Sequence, residues 1–292
     1  MRSAVVLRID QRARRARVAW EVPVGDRRTR QWPEAAVAST TAKSAQCNVC
    51  GWHGAAFGGV EHCESATCPV CGSIARDRFL YWCWTQRTSY DPKAVVLETS
   101  PRLDGTYRAK MCDRVSYLCS DFDQAAHAGQ VVLDLQQIDL PDASIDLVLT
   151  PHVLEHVPDT DRALSELLRI LRPGGHVLLQ VPFLQSRTGR PPVPEYHGDS
   201  TLVHWRFGWD LAARTRGHGF ETDVLVTSEL SDAVTQGRSF SYAGSDCDVH
   251  DLLSGATGVE LTPVADAEQA ARHGFRPAFL FITLHLRKAD PA

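Results

Sequence analysis

Apolar and polar positions divide the chain into short buried runs separated by polar turns. Ile145, Leu147, Val148 and Leu149 form a run with no room for a solvated face, the signature of a strand covered on both sides in a parallel sheet. Leu164, Leu167, Leu168 and Leu171 then recur at i, i+3, i+4 and i+7, which gives a helix one apolar face. Pro173-Gly174-Gly175 is expected to end that helix, and His176 to Val181 reads as a second buried strand. Residues 142–183 thus predict one strand–helix–strand crossover. Similar runs predict strands at Ala94–Ser100, Val115–Ser120, Val131–Leu133, Phe220–Val226 and Phe279–Leu286. Residues 73–87, dense in large apolar side chains, predict a helix with Trp82, Cys83 and Trp84 in the core. The proline-rich stretch 190–197 excludes a helix and predicts a loop or lid. The stretch 227–277 predicts a loop-rich insertion with one helix near Ala265–Arg272.

Residues 3–22 alternate loosely about an arginine-rich turn and predict a β-hairpin, followed by a linker up to residue 46. Residues 1–32 hold nine arginines, yet the whole chain of 292 residues has a net charge of −4. Charge alone therefore does not make it a polyanion binder. The basic hairpin keeps nucleic acid open as a partner without favouring it. No apolar run is long enough for a membrane helix, and the first residues lack a signal peptide's apolar stretch. A cytoplasmic, reduced location is expected, so the nine cysteines point to metal or burial rather than disulfides.

Four of those cysteines have a telling arrangement. Cys47-x2-Cys50 and Cys68-x2-Cys71 are separated by 17 residues. Each pair can form a knuckle that offers two thiolates to one ion, and two knuckles close a tetrahedral S4 site. Gly51 and Gly72 follow the knuckles where a left-handed residue is needed. A structural Zn2+ is expected, with no open position for catalysis. His53, His62 and Cys63 are spare candidate ligands.

The wording Ser-Ile-Asp-Leu-Val-Leu-Thr-Pro-His-Val-Leu-Glu-His-Val, with Leu-Arg-Pro-Gly-Gly downstream, resembles the second half of class I S-adenosylmethionine (SAM)-dependent methyltransferases of the type 11 kind. The resemblance implies an α/β fold: a doubly wound, mostly parallel seven-stranded sheet whose last strand is antiparallel. It divides the chain into a basic hairpin and linker (1–46), a zinc ribbon (47–72) and a methyltransferase domain (73–292) with the 227–277 insertion. It implies SAM as cofactor, held at the carboxyl ends of the first strands by Glu98, Ser100, Pro101, Asp121, Asp134, Leu135 and Pro151, with Asp123 a further candidate. The sequence departs from the family in the loop after Glu98, where Thr99-Ser100-Pro101-Arg102-Leu103-Asp104-Gly105 replaces a Gly-x-Gly turn. The family also carries a His-x-Arg-x-Gly segment, matched by His204, Arg206 and Gly208.

His152, Tyr196, His197 and His204 are the candidates to orient or deprotonate an acceptor, because histidine titrates near neutrality. Trp205 and Arg206 are candidate substrate contacts. The alternative for Arg206 is a clamp that holds its loop to the sheet. His152 and His156 stand one helical turn apart, and His156 is read as packing rather than as a metal ligand. Tyr242, Asp246, Cys247, Asp248 and His250 form no recognisable metal motif. The expected function is methyl transfer to a small-molecule or peptide acceptor. The alternatives are a methyltransferase fold that does not methylate and an RNA methyltransferase or nucleic-acid-binding protein. Oligomeric state is not legible.

Overall fold

The structure is a computed structural model of the full chain; it describes residues 44–59, 66–88, 91–103, 105–122, 130–197, 200–238, 249–276 and 281–290. The basic hairpin, Asp123, His62, Cys63, and the Tyr242–Asp248 group lie outside the described residues, as does the predicted start of the last strand.

The predicted crossover is present. Strand β6 (Ile145–Pro151) runs parallel to β7 (Leu171–Gln180), and helix α3 (Thr160–Ile170) connects them. Asp159 caps α3 by accepting the Arg162 amide at 3.0 Å. Leu164 and Leu167 are fully buried. The helix ends earlier than expected, at Ile170, and β7 runs through Pro173-Gly174-Gly175. The register between β6 and β7 shifts there, between Ile145 and Leu147. Such an irregularity accommodates a residue without an N–H. A side chain at 175 would meet the Arg172 carbonyl at 2.8 Å, so the glycine serves close backbone approach.

Before this unit in the chain come a short strand pair, β1 (Ala45–Gln46) and β2 (His53–Gly54), and helix α2 (Gly105–Arg114); around it lies one eight-stranded sheet. The other strands are β3 (Val95–Thr99), β4 (Ser116–Asp121), β5 (Val131–Val132), β10 (Phe220–Thr227), β11 (Leu261–Ala265) and β12 (Thr283–Lys288). Their order is β11-β10-β12-β7-β6-β3-β4-β5, and only β12 is antiparallel to its neighbours. Seven of these match the expected Rossmann-like sheet. The eighth, β11, comes from the 227–277 segment and pairs parallel to β10 at the edge. That segment is therefore more ordered than its composition suggests; it also supplies helices Ser228–Thr235, Val249–Ser254 and Ala267–His273.

Each face of the sheet is covered. Helix α3 and helix Leu211–Gly217 fill one face. Helix α1 (Ala75–Arg87) and the cysteine knuckles fill the other, and Cys47, Cys68 and Cys71 share one continuous core with Phe79, Trp84 and Leu149. Cys83 and Trp84 are buried as expected, whereas Trp82 is only partly so; it reaches the Val264 carbonyl and stacks on His273. Residues 45–88 are thus fused to the α/β domain. Arg78 does the joining. Fully buried, it donates to the carbonyls of Ser73, Ala66, His273 and Gly274, and its guanidinium lies 3.8 Å from the Phe57 ring centre. Periodicity gave no sign of this role.

Candidate active site and metal centres

β3, β4 and β6 end side by side, so their last residues meet at one edge. Glu98 lies one residue before the end of β3 and is 5% exposed. Its Oε2 accepts the hydroxyls of Tyr107 and Tyr117. Burial pushes the Glu98 carboxyl up to about 7, against the pull of the two phenols. A narrow cleft opens beside it, lined by Asp77, Tyr81, Arg102, Leu103, Leu149 and Pro151 among others. Arg102 and Asp77 pair across it at 3.0 Å.

The other side of these strands carries a row of hydroxyls. Thr99, Ser120 and Thr150 occupy successive strands β3, β4 and β6, on the face opposite Glu98, Cys119 and Leu149. Each is buried, and none of the three hydroxyls has a hydrogen-bond partner among the described residues. Native chains rarely leave such buried groups unpaired.

The loop after Glu98 explains how this chain manages without glycine. Ser100 adopts φ 49°, the left-handed conformation that glycine favours. Its amide donates to the Ser120 carbonyl at 2.6 Å, and its hydroxyl donates to Asp121 Oδ2 at 3.1 Å. Pro101 is buried behind it. Asp121 itself ends β4 at the crevice rim. Asp134 caps its own turn by accepting the Gln136 amide, and Leu135 is packed in the core at 4% exposure. Pro151 ends β6, and His152, just after it, has φ 52° while donating its amide to the Gln180 carbonyl.

The candidate acceptor residues divide into two groups. His152 and His197 come together around Glu155, a residue that sequence reasoning missed. Glu155 is fully buried, with His152 Nδ1 3.5 Å and His156 Nε2 4.0 Å from its Oε1. Burial pushes its carboxyl up, and the neighbouring histidines more than reverse this, so its net shift is downward. The His156 and His197 rings meet edge to face, 4.7 Å apart. Burial also lowers His197 and His204. The only sequence signal for Glu155 was a carboxylate embedded in an apolar run between two histidines.

The second group lies on and just after a small hairpin. The predicted lid 190–197 contains β8 (Glu195–Tyr196), which pairs with β9 (Leu202–Val203) as a small hairpin. Tyr196 points outward, 60% exposed. The amides of His204 and Trp205 both donate to the Glu155 carbonyl, at 2.8 and 3.1 Å. Arg190 stacks over Trp205 and approaches His204 Nδ1 at 3.4 Å. Arg206 pairs with Glu195 at 2.7 Å and exchanges backbone hydrogen bonds with Gly189. Gly208 lies against Ser186 and Arg187, where a side chain would meet backbone at 2.5 Å.

The four cysteines converge. Cys47 and Cys71 sulfurs are 3.6 Å apart, Cys50 and Cys68 sulfurs 3.7 Å, and all four lie within 4.8 Å of one another. A tetrahedral ion with Zn–S bonds of about 2.3 Å places its sulfurs ~3.8 Å apart, so the donor set fits. Gly51 and Gly72 have φ 83° and 70°, and their amides close the knuckles onto Cys47 and Cys68 carbonyls. Ser73 Oγ lies 3.3 and 3.2 Å from Cys47 and Cys71 sulfurs, a second layer of support. The Cys71 thiol beside it pulls the Cys47 thiol down to about 4.

Residues 97–179, from β3 to β7, match the family described as Methyltransferase domain. The match covers less than half of the chain. The chain is similar to an O-methyltransferase of Aspergillus nomiae, 33% identical over 120 residues that cover 38% of this chain and 53% of that protein. A 37.1 kDa protein of a Streptomyces fradiae transposon is 44% identical over 109 residues, 34% of this chain and 32% of its own length. The chain thus spans about half or less of these relatives. A SAM-dependent methyltransferase structure from Mesorhizobium loti aligns over 72% of this chain and 98% of its own, at 13% identity and a TM-score of 0.42. No helix among the described residues is long and apolar enough to cross a membrane.

Proposed function

We propose that the chain transfers a methyl group from SAM to a small-molecule or peptide acceptor, and that Cys47, Cys50, Cys68 and Cys71 hold a structural Zn2+. The observation that carries the reading is the methyltransferase-domain match together with the polar edge it contains: Glu98, Ser100, Asp121 and the unpartnered hydroxyls of Thr99, Ser120 and Thr150. Bound SAM supplies an electrophilic methyl on a sulfonium. The rest falls to the protein. Asp121, at the end of the second strand of the crevice, accepts ribose hydroxyls, since one carboxylate takes two O–H bonds. Ser100 holds the loop in the shape that lets backbone approach the cofactor. Glu98, buried with its carboxyl raised to about 7, would be held ionised by the ammonium of bound SAM. The Asp134–Leu135 turn and Pro151, at neighbouring strand ends, would help to hold the rest of the cofactor.

His152 and His197 stand on the acceptor side and are the groups able to hold a proton there. In-line methyl transfer depends mainly on positioning, so a single general base is not required. The zinc, with four thiolates, has no open position and serves the fold.

The test is calorimetry with SAM and its demethylated product, followed by incubation with methyl-labelled SAM and fractionated cell extract. Binding and label in the small-molecule or peptide fraction support the reading. Label in RNA would reassign the acceptor, binding without transfer would favour the non-methylating alternative, and no binding would sink the proposal.

A further inference from the structure

We infer that Glu155, His156 and His197 form a second metal site, one that takes a borderline divalent cation such as Zn2+ or Co2+. Their donor atoms all lie within 4.8 Å of one another. The set joins two imidazoles and one carboxylate, the ligand types that suit such ions. It is distinct from the cysteine cluster in both chemistry and position, lying on the loop after β6 and on the β8–β9 hairpin.

Three observations support it. The first is the state of Glu155. It is fully buried, and what faces its carboxylate is imidazole: His152 Nδ1 lies 3.5 Å and His156 Nε2 4.0 Å from Oε1. A buried carboxylate is stable only if a cation or several donors compensate it. The second is the orientation of His156. Its Nδ1 lies 2.9 Å from the Leu202 carbonyl. A carbonyl can only accept, so Nδ1 carries the proton and Nε2 keeps its lone pair. That lone pair faces Glu155 Oε1 at 4.0 Å. Two electron-rich atoms so placed need a cation between them. A histidine whose outer nitrogen donates to a carbonyl while the inner one faces a carboxylate has the arrangement of a metal ligand.

The third is the way His197 is held. Its hairpin is pinned to the Glu155 turn by two amides, those of His204 and Trp205, and by the His156–Leu202 contact. The His197 amide also donates to Thr201 at 3.0 Å, which closes the hairpin tip. The third ligand is therefore positioned by a scaffold and not by chance. His152 Nδ1 approaches the same oxygen, Glu155 Oε1, at 3.5 Å and helps to orient the carboxylate. Three protein donors leave coordination positions for water or an oxygen-bearing ligand. The site stands next to the end of β6, so such a ligand would be held beside the crevice.

The competing occupant is a proton, shared as an imidazolium–carboxylate pair. Metal counting separates the two. Full-length reduced protein is stripped with chelator, reloaded with excess Co2+ without oxygen, desalted and assayed for cobalt per chain. His197→Ala and Glu155→Gln are treated in parallel. His197 is only half-buried on a surface hairpin, so His197→Ala keeps the fold, as its circular dichroism will report. The expected result is one cobalt fewer per chain in both variants than in the parent, or at least a tenfold weaker second binding step. The thiolate-to-cobalt absorption of the cysteine cluster should be unchanged. Equal uptake by the parent and the folded His197→Ala variant would overturn the inference.

Discussion

Tyr117 donates its hydroxyl to Glu98 Oε2 at 2.8 Å, deep under the end of β3. This bond, with its twin from Tyr107, pulls the carboxyl down only part of the way that burial raises it, and it remains at about 7 against an ordinary 4.5. Between those values the folded chain holds a proton that the unfolded chain has lost. Stability therefore falls as pH rises through that window, by on the order of 3 kcal/mol. Glu98→Gln keeps an acceptor for both phenols and removes the ionisation. Denaturant melts of the parent and Glu98→Gln from pH 5 to 8 should show the slope only in the parent. Identical slopes would mean that Glu98 is already ionised.

Ser100 carries the cost of φ 49°, a left-handed conformation that glycine adopts freely. Ser100→Ala keeps that strain and loses the bond to Asp121. Ser100→Gly loses the bond but relieves the strain. The glycine variant should be the more stable of the two by about 1 kcal/mol. Ser100→Val, β-branched in a left-handed position, should be the least stable of the three. Thermal melts rank them, and a glycine variant below alanine would contradict the strain assignment.

Arg78 satisfies four backbone carbonyls from two regions far apart in sequence. Arg78→Met keeps the volume and leaves those carbonyls bare in a buried site. A loss of more than about 3 kcal/mol is expected. Because Arg78 links the cysteine knuckles to the end of helix Ala267–His273, removing with a chelator any metal ion the four cysteines hold should also lower the melting temperature of the whole domain, in one transition. Two separate transitions on chelation would show that the knuckles melt alone.

His285 and His176 share a contact of 3.0 Å on adjacent strands, and burial pushes His285 down to about 4. The unfolded chain binds protons there between about 6.5 and 4 that the folded chain refuses. Stability should fall as pH drops through this range. His285→Leu should flatten that acid limb in pH-dependent melts; an unchanged limb would assign it to other groups.

The sequence by itself determined the elements with a strong period. The β6–α3–β7 crossover, the parallel sheet and the cysteine knuckles could be read because burial on both faces, one apolar helix stripe and fixed thiol spacing are local constraints. Even the glycines after the knuckles followed from backbone geometry. Tertiary structure decided what depends on chain segments far apart. Pro173-Gly174-Gly175 became part of a strand because the neighbouring strand absorbed an irregularity. Leu261–Ala265 became an edge strand because β10 had a free side. Arg206 became half of an ion pair because Glu195 lies beside it. Glu155, which no spacing singled out, and His156, read as packing, met a third donor only when the β8–β9 hairpin brought His197 to them. Spacing along the chain carries no information about such a meeting, since the hairpin and the turn are held together by backbone hydrogen bonds that any sequence can make.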